Sequence, residues 1–156
     1  MAYAKTSLRG EQRLVREQMR TLGLSRRQIA VEFARRYHLR PRPAWRSAWG
    51  WSLAEAAERI SDHAARAGLA LDEKLVAMTA SHLSEYENWP GPGPARRRPG
   101  PRLLSVLATV YECAVDDLLD LADYEHMPDA DRLIVRRQGP PGEPAAAMNG
   151  ARDTGR

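Results

Sequence analysis

WSLAEAAERI (51–60) is the stretch on which the fold turns. Ser52 and Glu55 stand three apart. At that spacing a capping serine and a glutamate each satisfy an orphan backbone N–H of the other at a helix start. Leu53, Ala56, Ala57, Ile60 and Ala64 continue as one apolar stripe at helical period, and Gly68 suits the close of the helix. After an interval, MTASHLSEYENW (78–89) opens a second helix. Thr79 is its expected N-cap, Asn88 its end, and Leu83 and Tyr86 its inward face. The interval at 69–78, with Leu71, Leu75 and Met78, reads either as helix or as packed loop.

Upstream, a helix over about 8–22 places Leu8, Val15, Met19 and Leu22 on one face, and Gly23 suits the left-handed position that follows it. Ser25 and Gln28 repeat the capping-box spacing. Ile29, Phe33 and Tyr37 follow at intervals of four, with Ala30 and Ala34 beside them. Pro41 and Pro43 end that segment, and Pro43 suits the first position of a short helix through Trp49, broken by Gly50. Downstream, Pro90, Pro92, Pro94, Pro99 and Pro101 forbid helix between 90 and 101, a loop that carries Arg96, Arg97 and Arg98. Helices over about 102–111 and 115–124 follow, and after about 136 glycine and proline read as disorder. Alternating or β-branched runs are missing, so the expected class is all-α. The expected organisation is a basic helical extension (1–40), a central domain (41–125) and a mostly disordered tail (126–156).

The 156 residues are 43% hydrophobic and 28% charged, enough apolar content for one compact domain plus a tail. Aromatics are only 6%, so the core must rest on Leu, Ala, Val and a few Trp. Cys113 is the single cysteine, which excludes an internal disulfide and suits a reducing compartment. No apolar run approaches the ~20 residues of a membrane span, and the first residues lack the apolar core of a signal peptide. A cytoplasmic protein is expected.

Charge is segregated beneath a net of +4. Residues 1–50 hold twelve Lys/Arg against three Asp/Glu, residues 91–102 hold four Arg and no acid, and residues 103–131 hold eight acids and no Lys or Arg. Such a field suits a polyanion-facing side and an acidic side. Solvated helix faces are the competing reading.

The pair of segments 51–60 and 78–89 resembles the helix-turn-helix of the XRE, or Cro/phage-repressor-type, family. RPAWRSAWG (42–50) resembles the family's opening helix, and PGPRLLSVLATVYECAVDDLLDLA (99–122) its two closing helices. The resemblance spans about 42–122 and implies an XRE-like five-helix domain, preceded by two helices, that regulates transcription by binding double-stranded DNA. It implies that Ala57 lies where the paired helices touch. It implies that Thr79 caps the recognition helix, so that its N-terminal dipole and free N–H groups point toward DNA. Ala80, Ser81, Ser84 and Glu85 would then face the major groove, where Ser and Glu hydrogen-bond base edges and Ala meets a thymine methyl. Arg96, Arg97, Arg98 and Arg46 would meet phosphates. Members commonly bind as dimers, which implies a homodimer here. The chain departs from the pattern in three places: a turn about sixteen residues longer than usual (61–78), Leu53 where a phosphate-binding Gln is common, and a recognition helix without Arg or Lys.

GLSRRQIAVEF (23–33) resembles the start of another helix-turn-helix, with Arg26 and Arg27 at a helix N-terminus. It reads either as a second DNA-contacting unit or as a hairpin packed beneath the main domain, its arginines still within reach of phosphates. The hairpin is favoured because no recognition helix follows before Pro41.

Other chemistries have less behind them. Trp45, Trp49 and Trp51 suit packing better than base stacking. His38, His63, His82 and Cys113 lack metal-ligand spacing, although His63 and His82 would approach each other across the long turn. No phosphate loop, nucleophile elbow or carboxylate pair is recognisable, so neither an enzyme nor a cofactor is expected. The alternative function is a protein-interaction module on the same scaffold, meeting a sigma factor or another regulator through the acidic 103–131 face.

Overall fold

The computed structural model describes residues 7–71, 77–92 and 97–138. Eight α-helices and no strand occur among them, so the class is all-α. The order is α1 (Leu8–Thr21), α2 (Arg26–Tyr37), α3 (Pro41–Trp49), α4 (Leu53–Ala67), α5 (Ala80–Asn88), α6 (Pro101–Tyr111), a 3-10 turn (Val115–Leu118), α7 (Leu121–His126) and α8 (Asp129–Gln138).

Local chemistry sets most of these boundaries. Ser25 with Gln28, and Ser52 with Glu55, form reciprocal capping boxes at the starts of α2 and α4. Thr79 accepts the His82 N–H at 3.1 Å and caps α5. Gly50 and Gly68 end α3 and α4 at φ +80 and +65, the left-handed region that costs glycine nothing. Pro41, rather than Pro43, takes the first position of α3. Pro43 then falls third, where a helix still has no internal partner for its N–H.

One core joins the elements. Ile29 and Phe33 of α2, Trp45 and Ala48 of α3, Ile60 of α4, Leu83 and Tyr86 of α5, and Leu104 and Leu107 of α6 are all at most 4% exposed. Helices α2 and α3 pack closely, α4 packs on α5 and α6, and the 3-10 turn closes against α6. Removing a side chain such as Leu104 from this core should cost about 2–5 kcal/mol.

Three features differ from the sequence reading. Leu8 and Leu22 are 61% and 77% exposed, so α1 meets the core through Val15 and Met19 alone of its expected face. The expected helix over 115–124 is two pieces, because the Asp120 side chain accepts the Asp123 N–H and starts α7 afresh. Helix α8 occupies part of the expected tail; Val135 is 4% exposed there and Gln138 bonds Ser105 Oγ. One buried valine, beside the exposed Leu133 and Ile134 and flanked by charges, is too weak a period to announce a helix.

Much of the long turn is itself helical. α4 runs on to Ala67, and the connection beyond it is pinned back onto α4. Ser61 Oγ accepts the Met78 N–H at 2.8 Å and donates to the Met78 carbonyl at 3.2 Å. Leu71 and Met78 are buried, whereas Leu69 is 44% exposed and Leu75 lies outside the described residues. The described residues contain no helix long and apolar enough to cross a membrane.

Candidate nucleic-acid interface

Helix α5 buries Leu83, Tyr86 and Glu87. Its remaining face is small and polar: Ser81 and Asn88 are exposed, and Ala80, Ser84 and Glu85 are half-buried. Ala57, 3% exposed on α4, is among the core residues of the helix that α5 packs against. Asn88 Nδ2 donates to the Ser84 carbonyl at 2.7 Å, which ties down the last turn.

The C-terminal end of α5 is anchored by arginines from the segment before and within α3. Arg42, 1% exposed, donates to the carbonyls of Tyr86, Trp89 and Leu118 and to Asp123 Oδ1. Arg40 donates to the Trp89 carbonyl, to both Asp120 oxygens at 3.0 Å and to Asp123 at 2.8 Å. Burial alone would raise the Asp120 carboxyl, but hydrogen bonds from Arg40 and from the Asp123 backbone outweigh it and hold the group at about 2.

The arginines expected at phosphates sit in varied surroundings. Arg46 is 17% exposed; it donates to Glu87 at 2.6 and 3.0 Å and to the Trp51 carbonyl, so it holds α3 to α5. Burial raises the Glu87 carboxyl despite the opposing hydrogen bond and charge of Arg46. Arg26 lies over the Trp49 ring at 4.2 Å and donates to the Ala48 carbonyl, and Arg27 grips Asp117 with two bonds of 2.5 and 2.6 Å. Helix α2 is thus packed against α3 and reaches the 3-10 turn. Arg97 donates to Glu85 at 2.6 Å, which joins the arginine loop to the outer face of α5. Arg98 is half-exposed and lies 3.8 Å from Asp131. Arg96 is outside the described residues.

The charge segregation is therefore partly spent within the fold. Arg27, Arg40, Arg42 and Arg98 from the basic stretches meet Asp117, Asp120, Asp123 and Asp131 from the acidic one. Counting charge along the chain could not reveal this, because the partners lie up to 90 residues apart.

Sequence reasoning passed over Arg9, Arg13 and Arg16. They form one stripe of α1 and line a groove of about 600 Å³ between α1 and the α3–α4 junction. Their spacing of four and three was the available signal.

The tryptophans pack against one another and against arginines: Trp49 and Trp51 stack at 5.1 Å, and Arg59 covers Trp51. Burial, reinforced by Asp117, pushes the Cys113 thiol up to about 12. No group of three or more His, Cys, Asp or Glu among the described residues is placed to hold a metal ion. The chain matches no protein-family model, no curated protein and no solved structure.

Proposed function

We propose that the chain is a sequence-specific double-stranded DNA-binding regulator of the XRE-like helix-turn-helix type, with α4 and α5 as the paired helices. The observation that carries the reading is the two-sidedness of α5. One side is packed into the core by Leu83 and Tyr86, and the other offers only small or polar groups on a capped helix. A helix of that kind, packed on a preceding capped helix, suits major-groove docking. Thr79 would set the N-terminus of α5 toward the DNA, with Ala80, Ser81, Ser84 and Glu85 at the base edges. Arg97 and Arg98 would supply phosphate contacts, and Arg46 acts by holding α5 in place.

A second reading has its own support. α5 carries no Lys or Arg, and its Glu85 is already ion-paired to Arg97. A surface so neutral also suits a protein partner.

Selection from a random duplex pool, followed by anisotropy across a salt series, separates the two. The DNA reading expects one enriched motif and a negative slope of log affinity against log salt. Ser81→Ala should relax preference at one base position at a cost of about 1–3 kcal/mol, whereas Arg98→Ala should weaken all sequences alike. Absence of duplex binding at low salt would reject the reading and favour the protein partner.

A further inference from the structure

The arginine groove on α1 has a composition that the contacts of the fold do not account for. Its lining includes Arg9, Arg13, Arg16, Arg46 and a single carboxylate, Glu55. Arg46 is matched by Glu87, and Glu55 is engaged with the Ser52 N–H in its capping box. Arg9 and Arg13 make no ion pair or side-chain hydrogen bond among the described residues.

Arg16 is the most unusual of the three. It is half-buried, yet it meets no carboxylate; its Nε donates to the Ser47 carbonyl at 2.9 Å, and its guanidinium lies 5.7 Å from the Phe33 ring centre. The remaining N–H groups of a five-donor fork find no acceptor among the described residues. Gly50 makes room for it: a side chain there would meet Arg16 Nη1 at 2.8 Å. Burial, together with the charge of Arg13, draws the Arg16 guanidinium below its ordinary value, while Glu17 opposes the shift. Arg9, Arg13 and Arg16 line one groove, and like charges gathered on one surface repel unless an anion sits between them.

We infer that this groove is a phosphate-binding site, with Arg9, Arg13 and Arg16 as its charge-assisted donors. Planar guanidinium forks suit phosphate oxygens in pairs of parallel bonds, and the groove lies within the roughly 300–1,000 Å³ range of small-ligand sites. The phosphate belongs either to a DNA backbone or to a free phosphorylated molecule, and the chemistry of recognition is the same. The inference does not require the DNA-binding reading, because a free anion tests it with no duplex present.

The test is calorimetric titration of the full chain with inorganic pyrophosphate at constant ionic strength. Saturable binding is expected. The Arg9→Gln/Arg13→Gln double variant should weaken it at least tenfold. Both positions are on the surface helix, so folding should survive. Arg66→Gln, which removes one positive charge at the far end of α4, should leave it unchanged. Absence of saturable binding, or equal weakening by Arg66→Gln, would overturn the site. Duplex added to the pyrophosphate complex then identifies the source. Displacement assigns the groove to backbone phosphate, and independent binding assigns it to a free phosphorylated molecule. A protein that takes pyrophosphate but no duplex would keep this site and lose the DNA reading.

Discussion

Arg42 shows how much a single side chain carries in this fold. A charge removed from water is tolerated only when it is paired and its remaining donors are satisfied. Arg42 meets both conditions through Asp123 and three backbone carbonyls. Asp123→Ala would leave both Arg40 and Arg42 short of their shared carboxylate. It should destabilise the chain by about 3–5 kcal/mol, measured by urea unfolding. Asp120 adds a pH dependence of definite sign. Its carboxyl sits at about 2 in the fold, against roughly 3.9 when unfolded. The stability it supplies is complete above about pH 5 and is lost as the pH falls from about 4 through 2. The stability gap between the wild type and Asp120→Asn should therefore shrink as unfolding is repeated at falling pH. A gap that stayed constant down to pH 2 would show that the Arg40 contact does not form. None of this was readable from residue spacing. Arg42 and Asp123 are 81 apart, and their side chains look like any other surface charges until the chain is folded.

At the scale of elements, the readable parts were those governed by neighbours in sequence. The caps of α2, α4 and α5 were found because the donors and acceptors lie three residues apart. Leu83 and Tyr86 were found because helical period alone puts them on one face. Glu87 was missed: an acid beside them reads as solvent-facing, and only its tie to Arg46 makes burial tolerable. The two-piece segment after α6 was missed because Asp120 caps a new helix where Leu118, Leu119 and Leu121 suggested one continuous stripe. The outer face of α5 was anticipated as a small polar surface, but its ion pair with the arginine loop depends on a fold-back that sequence does not encode locally. The buried face of α4 makes a direct prediction. Ala57 is 3% exposed, so Ala57→Leu should overpack the core and cost about 1–3 kcal/mol. The urea midpoint should fall; an unchanged midpoint would mean that the core around Ala57 is not closely packed.

At the scale of the molecule, the core runs without interruption from Val15 to Val135. It includes residues of the N-terminal pair of helices as well as α8, and the ion pairs from Arg27 and Arg40 join residues 1–40 to the 41–125 segment. The N-terminal helices should therefore unfold with the rest. Tryptophan fluorescence and far-ultraviolet circular dichroism should report one coincident transition. Trp45, Trp49, Trp51 and Trp89 are all packed on that core, so an earlier fluorescence change would show that part of it melts separately. The sequence division at residue 40 followed Pro41 and the start of the stretch that resembles the XRE family, but ion pairs across this boundary hold the two sides together.

The burial of Arg42 also constrains how the chain is born. Its carboxylate partner, Asp123, is synthesised 81 residues later. At about 5–20 residues per second, a ribosome takes roughly 4–16 s to cover that interval. Throughout it the nascent α3 carries a guanidinium whose final seat does not yet exist. The amino-terminal helices must wait in a looser arrangement, and the native closure of α3 belongs to the moment when Asp123 clears the exit tunnel.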